Sequence, residues 1–301
     1  MVNVFTPNII GLVLRKNTPS LAKNARSLIE FLVASGRKVV IDKDNGSEIE
    51  RELGIDLPAE IMRCPLSQLG KKSEVIIVLG GDGTLLTVGR FVAKDQVPLI
   101  GINRGSLGFL TQLPWSDTTL ADVDAILRGK RQVEERRILK GQVLRKGKII
   151  DKLLAVNEVA IGRGLQGKLM KFEVFVDNTF VYTQLSDGLI VSTPTGSTAY
   201  SLAAGGPILS ATLPAINIVP ICAQSLTNRP IVISDNAKIK ILIIEGQDSM
   251  AHFDGHHTIP LQNLDYLQIE CTKEKLILWQ SERYDYFGTL REKLRWGEQL
   301  V

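Results

Sequence analysis

Short apolar runs alternate with amphipathic stretches over the first part of the chain. The apolar runs are rich in Val and Ile, which is typical of parallel strands buried on both faces, and the stretches between them repeat at helical spacing. The predicted strands are residues 8–14, 38–41, 75–79 and 97–102, and the predicted helices are residues 21–32, 84–92 and 117–127. This alternation predicts an α/β domain with a Rossmann-like parallel sheet over residues 1–130.

Closely spaced strands replace this alternation in the second part of the chain. The predicted strands are residues 138–144, 148–161, 171–176, 179–183, 215–222, 231–234, 238–245, 250–253 and 266–271. Asp177 and Asn178 form a two-residue link between alternating runs, which indicates a β-hairpin. We expect a mainly β, sandwich-like domain over residues 131–280 and a helical tail over residues 281–301, with its helix at 285–296, that packs back on the first domain.

Composition and charge exclude several classes of protein. Of the 301 residues, 44% are hydrophobic and 23% are charged, as in globular proteins, and the net charge of +4 is scattered, which argues against a nucleic-acid partner. Three widely separated cysteines without metal-ligand spacing indicate a reducing compartment, for which the cytoplasm is the expectation. No apolar run reaches the roughly 18 residues of a membrane helix, so no membrane partner is expected.

A glycine-rich loop carries the first candidate chemistry. Gly80-Gly81-Asp82-Gly83-Thr84 directly follows a predicted buried strand, and the carboxyl ends of such strands are where α/β sheets bind ligands. The glycines allow the backbone to approach a phosphate, and Asp82 is suited to accept the proton of a hydroxyl that attacks a phosphoryl group. The alternative is a tight Gly-Asp-Gly turn with no ligand. No Walker A sequence is present.

A hydroxyl-rich segment, residues 187–201, is the second candidate for binding chemistry. Five Ser or Thr side chains lie between Ser192 and Thr198, with Pro and Gly among them, and Tyr200 adds a ring suited to lie near a base. The alternative is a solvated surface loop. Asn157 and Glu158 are a third candidate, because they interrupt an apolar run and buried polar groups need partners. Their alternative is the polar face of an edge strand.

These segments, together with residues 103–111, resemble the NAD kinase family in order and spacing. The resemblance extends from about residue 8 to the tail segment at residues 286–290. The Thr-Pro-Thr-Gly-Ser-Thr-Ala-Tyr core of the hydroxyl-rich segment is highly specific, whereas lipid kinases and phosphofructokinases share the Gly80–Thr84 loop. The resemblance implies transfer of the γ-phosphoryl group of ATP to the 2′-hydroxyl of the adenosine ribose of NAD.

The resemblance also implies roles for individual residues. Asp82 would act on the ribose 2′-hydroxyl and Gly83 would leave room for it, while Asn157 and Glu158 would hold the adenosine or ribose. Asp187 would contact the nicotinamide-side carboxamide or a neighbouring subunit's ligand, and Lys168 would lie near the diphosphate. The adenine pocket would be lined by Thr195, Thr198, Ala199, Tyr200, Ser201, Leu202 and Ala203.

The family further implies an assembly and a cation. The NAD site would lie between the two domains and be completed by a neighbouring subunit, in a homodimer or homotetramer. A divalent cation, normally Mg²⁺, would bridge the ATP phosphates, with no metal site built from the protein's own side chains.

Two positions depart from the family's pattern, and two other functions compete with the kinase. Leu185 stands where relatives often carry Arg, and His256 stands where they often carry Gln; the adjacent His257 does not make a zinc site, since neighbouring strand residues face opposite sides.

A lipid kinase would need an apolar groove or a membrane-binding face. A nucleotide sensor without turnover would have no use for Asp82 as a base.

Overall fold

The computed structural model describes residues 5–105, 108–164, 168–225, 227–295 and 297. The chain divides into two compact units, the first formed by Met1–Glu135 and Leu276–Val301 and the second by Arg136–Lys275. The sequence pattern places these boundaries a few residues away, at 130/131 and 280/281. The difference arises because the chain joins the first unit's sheet with one strand just after residue 130 and with another just before residue 281.

An eight-stranded sheet forms the middle of the first unit. Numbered along the chain, its strands are β1 (Ile9–Leu14), β2 (Lys38–Asp42), β3 (Met62–Cys64), β4 (Val75–Leu79), β5 (Leu99–Asn103), β6 (Leu113–Pro114), β7 (Arg131–Arg136) and β20 (Leu276–Ser281). They follow the order β3-β2-β1-β4-β5-β20-β7, and β6 pairs with β5. The first five strands pair in parallel, and β20 also runs parallel to β5. The predicted α/β class is therefore confirmed.

Helices connect and flank these strands. They are α1 (Ala22–Ala34), α2 (Lys43–Leu53), α3 (Leu66–Lys72), α4 (Asp82–Val92), α5 (Thr119–Leu127) and, in the tail, α7 (Tyr286–Leu294). The sequence pattern does not reveal α2, because Ile49 is its one large buried apolar residue. Local signals define that helix instead, since the Asp42 carboxylate caps its first turn and Gly54 ends it with a φ of 62°.

Two six-stranded antiparallel sheets make up the second unit. Their strands are β8 (Leu139–Arg145), β9 (Lys148–Ala155), β10 (Glu158–Gly162), β11 (Met170–Val176), β12 (Thr179–Ser186), β13 (Gly188–Ser192), β14 (Ala215–Ile221), β15 (Ile231–Ser234), β16 (Ile239–Glu245), β17 (Met250–Phe253), β18 (His257–Pro260) and β19 (Tyr266–Cys271), with one short helix, α6 (Tyr200–Ala203). One sheet has the order β15-β14-β13-β10-β17-β18 and the other β12-β11-β16-β19-β8-β9. Buried side chains of both sheets form one apolar core, so the mainly β prediction is confirmed.

The hairpin prediction is confirmed and one strand prediction is wrong. Asp177 and Asn178 connect β11 to β12 with φ values of 50° and 64°, as a type I′ turn requires. The single strand expected at residues 148–161 is two strands in different sheets, with the chain crossing between them at Val156 and Asn157. The Asp254 carboxylate stabilises the crossing by accepting the N–H groups of Val156 and Asn157.

Trp296, included in the predicted tail helix, lies outside the described residues, and α7 ends at Leu294. Across the part of the chain that the structure describes, no helix has both the length and the apolar content needed to span a membrane.

Phe172→Ala should strongly destabilise the second unit. The Phe172 side chain is fully buried in its core, and truncating such a ring costs about 3–5 kcal/mol. Phe180, on the neighbouring strand, is 53% exposed and contacts the ring of Phe175, so Phe180→Ala should cost no more than about 1.5 kcal/mol. Urea unfolding of both variants measures the difference, and equal losses would contradict this description of the core.

Candidate functional sites

Asp82 lies at the first position of α4, directly after the glycines that follow β4. Its carboxylate accepts four hydrogen bonds from the segment that follows β5. Oδ2 accepts the N–H of Phe109 at 2.8 Å, and Oδ1 accepts the N–H groups of Leu110 and Thr111 at 3.1 and 2.9 Å and the Thr111 hydroxyl at 2.9 Å. The side chain is therefore fixed in one orientation, with Oδ2 the less occupied oxygen within the described residues.

A glycine makes this arrangement possible. A Cβ atom at Gly108 would lie 2.2 Å from Asp82 Oδ1 and 2.4 Å from the Thr111 hydroxyl, so any other residue would push the two segments apart. The sequence points to this segment only through the family resemblance, because its contribution is made by backbone N–H groups. Ser106 and Leu107, which belong to the same segment, lie outside the described residues.

In the second unit, a pocket of about 540 Å³ brings together three residues predicted from the sequence. Glu158, Asp187 and Tyr200 line it, and Arg163 and His252 lie beside them. Asp187 accepts a hydrogen bond from the Arg163 guanidinium at 2.6 Å, and its backbone carbonyl accepts the N–H of Arg163. The sequence does not single out Arg163, although a charged residue directly after an apolar strand is a usable signal.

Glu158 is the titratable group of this pocket with the largest change in pKa. Its side chain is buried, and Oε2 has no hydrogen-bond partner among the described residues. Burial, reinforced by the nearby Asp254 carboxylate, raises the pKa of Glu158 to about 8. Glu158 is therefore largely protonated at neutral pH and able to donate a hydrogen bond to a ligand acceptor.

Asp254 fixes the segment that contains Glu158. Its carboxylate accepts the N–H groups of Val156, Asn157 and Glu158 at 3.0, 2.7 and 3.2 Å, and its own N–H donates to the Glu158 carbonyl. Asp254 and Gly255 both have positive φ in the turn between β17 and β18. The sequence draws attention to this turn through His256, but His256 is exposed and the buried Asp254 makes the contacts.

Most hydroxyls of the residue 187–201 segment bond within the protein. Thr193 donates to the Val156 carbonyl at 2.6 Å, and the Thr193 N–H donates to the Asn157 carbonyl at 2.9 Å. The remaining internal bonds are those of Ser192 with the Thr193 carbonyl, Ser197 with the Pro194 carbonyl and the Leu209 N–H, Thr198 with the Thr195 carbonyl, and Ser201 with the Asn217 amide. These hydroxyls shape the segment, which is not the solvated loop considered as an alternative.

The other predicted residues of this segment differ in exposure. Thr195 is buried and its hydroxyl has no partner among the described residues, whereas Tyr200 is 48% exposed. Thr198, Ala199 and Leu202 are half-buried and Ala203 is exposed. A Cβ atom at Gly196 would lie 2.2 Å from the Asn157 carbonyl, so the segment packs directly on Asn157.

Two predicted site residues, and Leu185 where the family's pattern is departed from, lie on the surface of their units. Gly83 is exposed in the first turn of α4, and Lys168 and Leu185 are exposed in the second unit. Lys168 follows residues 165–167, which lie outside the described residues, and does not line the Glu158 pocket. Among the described residues, no group of three or more His, Cys, Asp or Glu side chains is arranged to hold a metal ion.

Asp254→Ala should destabilise the protein by about 3 kcal/mol or more, because it leaves the N–H groups of three consecutive residues, two of them buried and one part-buried, without their charged acceptor. Asp177→Ala is the matched control, since Asp177 accepts one N–H, from Lys238, in an exposed turn and should cost about 1 kcal/mol. Chemical denaturation measures both. Equal, small losses would show that Asp254 does not hold the crossing between the sheets.

The stability contribution of Glu158 should fall as pH rises. Its folded pKa of about 8 lies above the ordinary value of 4.5, so between these values the folded state binds more protons than the unfolded state. The free energy of unfolding of the wild type, minus that of Glu158→Gln, should therefore decrease from about pH 5 to about pH 8. Urea titrations at several pH values measure this difference, and a constant difference would contradict the raised pKa.

Comparison with known proteins places these two sites in a family. The family model described as the ATP-NAD kinase N-terminal domain matches residues 10–130, and the model of the ATP-NAD kinase C-terminal domain matches residues 156–280. NAD kinases of Neisseria meningitidis serogroup C and Laribacter hongkongensis are each 47% identical to this chain, covering 97% of it and 98% of the relative.

Solved structures agree in fold. Yeast NADH kinase complexed with NADH superposes with a TM-score of 0.87 at 24% identity, covering all of this chain and 94% of that one. An NAD kinase from Archaeoglobus fulgidus in complex with ATP superposes with a TM-score of 0.70 at 21% identity, covering 95% of this chain and 98% of that one. Because the family models match most of its length and the relatives match nearly all of it, the chain belongs to the ATP-NAD kinase family.

Proposed function

We infer that this chain is an NAD kinase, which transfers the γ-phosphoryl group of ATP to the 2′-hydroxyl of the adenosine ribose of NAD and forms NADP. One observation carries the inference: relatives named NAD kinase are 47% identical over 97% of the chain. A lipid kinase would share the Gly80–Thr84 loop alone, whereas the similarity here includes the second unit with its hydroxyl-rich segment. The sensor alternative is not supported, because the relatives are enzymes by name.

We propose that Asp82 is the catalytic acceptor of this reaction. The 2′-hydroxyl oxygen attacks the γ-phosphorus, the bond from that phosphorus to the β-γ bridging oxygen breaks, ADP leaves, and the hydroxyl proton passes to the Asp82 carboxylate. Phosphoryl transfer depends mainly on positioning and neutralisation of charge, and the four hydrogen bonds to Asp82 hold it in place before substrate binds. Gly83, exposed and without a side chain, leaves room for the ribose.

We propose that the Glu158 pocket and the adjoining hydroxyl-rich segment bind NAD. Asn157 and Glu158 hold the adenosine or ribose, with the protonated Glu158 donating, and Asp187 accepts from the carboxamide or contacts a neighbouring subunit's ligand. The unpartnered Thr195 hydroxyl and the exposed Tyr200 ring are suited to the adenine, together with Thr198, Ala199, Ser201, Leu202 and Ala203. Lys168 supplies a positive charge for the diphosphate.

ATP is proposed to enter with a divalent cation, Mg²⁺, that its own phosphates carry. The residues present suit a cation delivered in this way, because three donors occupy Oδ1 of Asp82 and the proposed proton transfer uses Oδ2. Such a cation would neutralise phosphate charge when bound, while the glycine-rich start of α4 offers backbone N–H groups to the phosphates.

We also propose a homo-oligomer, a dimer or a tetramer, in which a neighbouring subunit completes the NAD site. Apolar side chains on the two edge strands of one sheet of the second unit support self-association: Ile149 and Ile150 on β9 and Phe180 and Val181 on β12 are between 40% and 56% exposed. A cytoplasmic location suits the three free thiols, which would persist in a reducing compartment.

The wild type should form NADP from NAD, ATP and Mg²⁺, and Asp82→Asn should be at least about 100-fold slower, because general-base catalysis contributes about that much. Coupling to an NADP-specific dehydrogenase measures the rate. Asp56→Asn, a change of an exposed carboxylate in the same unit, is the matched control and should retain full activity. Full turnover by folded Asp82→Asn would contradict the role of Asp82, and NAD binding without turnover by the wild type would contradict the reaction.

A further inference from the structure

The C-terminal helix α7 contacts the segment that holds Asp82. The Thr289 hydroxyl donates to Gln112 Oε1 at 3.1 Å, and Gln112 Nε2 donates to the Gly108 carbonyl at 2.5 Å. Gly108 in turn donates its N–H to the Thr111 carbonyl and closes the turn whose N–H groups bind the Asp82 carboxylate. A continuous chain of hydrogen bonds therefore joins the tail of the protein to Asp82, within the first unit.

We propose that Thr289 and Gln112 are positioning residues for Asp82. The proposal rests on the catalytic role proposed for Asp82. Neither residue needs to touch a substrate, because they act on the backbone of residues 108–111. The tail segment at residues 286–290, which the sequence resemblance includes without a role, thereby gains a function beyond packing.

The orientation of the Gln112 amide follows from its partners. A backbone carbonyl only accepts hydrogen bonds, so the NH₂ group of Gln112 must face Gly108. The amide oxygen then faces Thr289, whose hydroxyl is the donor. That hydroxyl also lies 3.1 Å from the Asp285 carbonyl, so its one proton is shared between two acceptors. Replacing the Thr289 hydroxyl removes the only donor to the Gln112 oxygen that the described residues provide.

Burial and tight packing make this chain effective. Thr289 is only 2% exposed, and together with Gln112 it lines a cavity of about 350 Å³ in the first unit. Gly108 lies so close to Asp82 that no Cβ atom fits between them, and a shift of the Gly108 carbonyl must therefore move the carboxylate or its donors. A misplacement of a catalytic group by about 1 Å lowers the rate by about 100-fold. Losing the Thr289 hydrogen bond should displace the Asp82 carboxylate by less than this, so we expect kcat to fall by about 10-fold.

Steady-state kinetics of Thr289→Val, which removes the hydroxyl and keeps the side-chain shape, tests the proposal. We expect kcat to fall by about 10-fold with KM for NAD and ATP within about twofold of the wild type, since only positioning of the reacting group changes. Thr289→Ser, which restores a hydroxyl, should recover most of the lost rate. Thr272→Val is the matched control, because that hydroxyl donates only to the Glu274 carbonyl in an exposed turn.

A double-mutant cycle separates positioning from general damage. If Thr289 acts through Asp82, adding Thr289→Val to Asp82→Asn should leave the residual rate within about twofold of Asp82→Asn alone. Rates that multiply across the two changes would overturn the proposal, as would an unchanged kcat in Thr289→Val or a failure of Thr289→Ser to recover activity.

Amide hydrogen exchange provides a readout that does not depend on turnover. The N–H groups of Phe109, Leu110 and Thr111 should exchange at least about 10-fold faster in Thr289→Val than in the wild type. Gln112→Met, of similar length but unable to bond to Gly108 or Thr289, should show the same change and serves if Thr289→Val does not fold. Unchanged exchange in a folded variant would overturn the proposal. If the wild type lacks kinase activity but the variants still exchange these amides faster than the wild type does, the proposed function is refuted and the link from Thr289 to the Asp82 segment stands.

Discussion

Single carboxylates that each accept consecutive backbone N–H groups organise both units of this protein. Asp82 accepts the N–H groups of residues 109–111, and Asp254 accepts those of residues 156–158. Buried N–H groups that lack an acceptor are costly, so each segment depends on one side chain from a distant part of the sequence. The proposed catalytic residue is one of these carboxylates, Asp82, and two of the residues proposed to bind NAD, Asn157 and Glu158, lie in the segment that Asp254 holds.

The two carboxylates produce different kinds of site. Asp82 is itself the proposed proton acceptor. The segment after β5 holds its carboxylate, and α7 supports that segment through Gln112 and Thr289. Asp254 plays the structural part in its unit: it turns the chain at Val156 and Asn157 and thereby brings Glu158 into the pocket wall. Burial, reinforced by the Asp254 carboxylate, raises the pKa of Glu158 to about 8, which makes that residue a donor at neutral pH.

The sequence predicts the elements with strong periodicity and misses those held by local or distant polar contacts. The buried strands, the Asp177-Asn178 hairpin and the position of Asp82 after β4 follow from the pattern. Helix α2 has too few apolar residues for its periodicity to predict a helix. The crossing at Val156 and Asn157 lies within an apolar run, and the residue that causes it, Asp254, is about a hundred residues away in sequence. Strand β20 is also missed from the sequence, because its place in the first sheet depends on pairing with strands that are distant along the chain.

The catalytic role of Asp82 is tested most directly by a single-turnover experiment. With NAD and Mg²⁺·ATP saturating, the rate of phosphoryl transfer is compared between wild type and Asp82→Asn, and the Kd for NAD is measured separately by calorimetry. If Asp82 is the catalytic acceptor, the rate in Asp82→Asn is at least about 100-fold lower, with a Kd within a few-fold of the wild type. An undiminished transfer rate combined with weakened NAD binding would contradict that role and make Asp82 a binding residue.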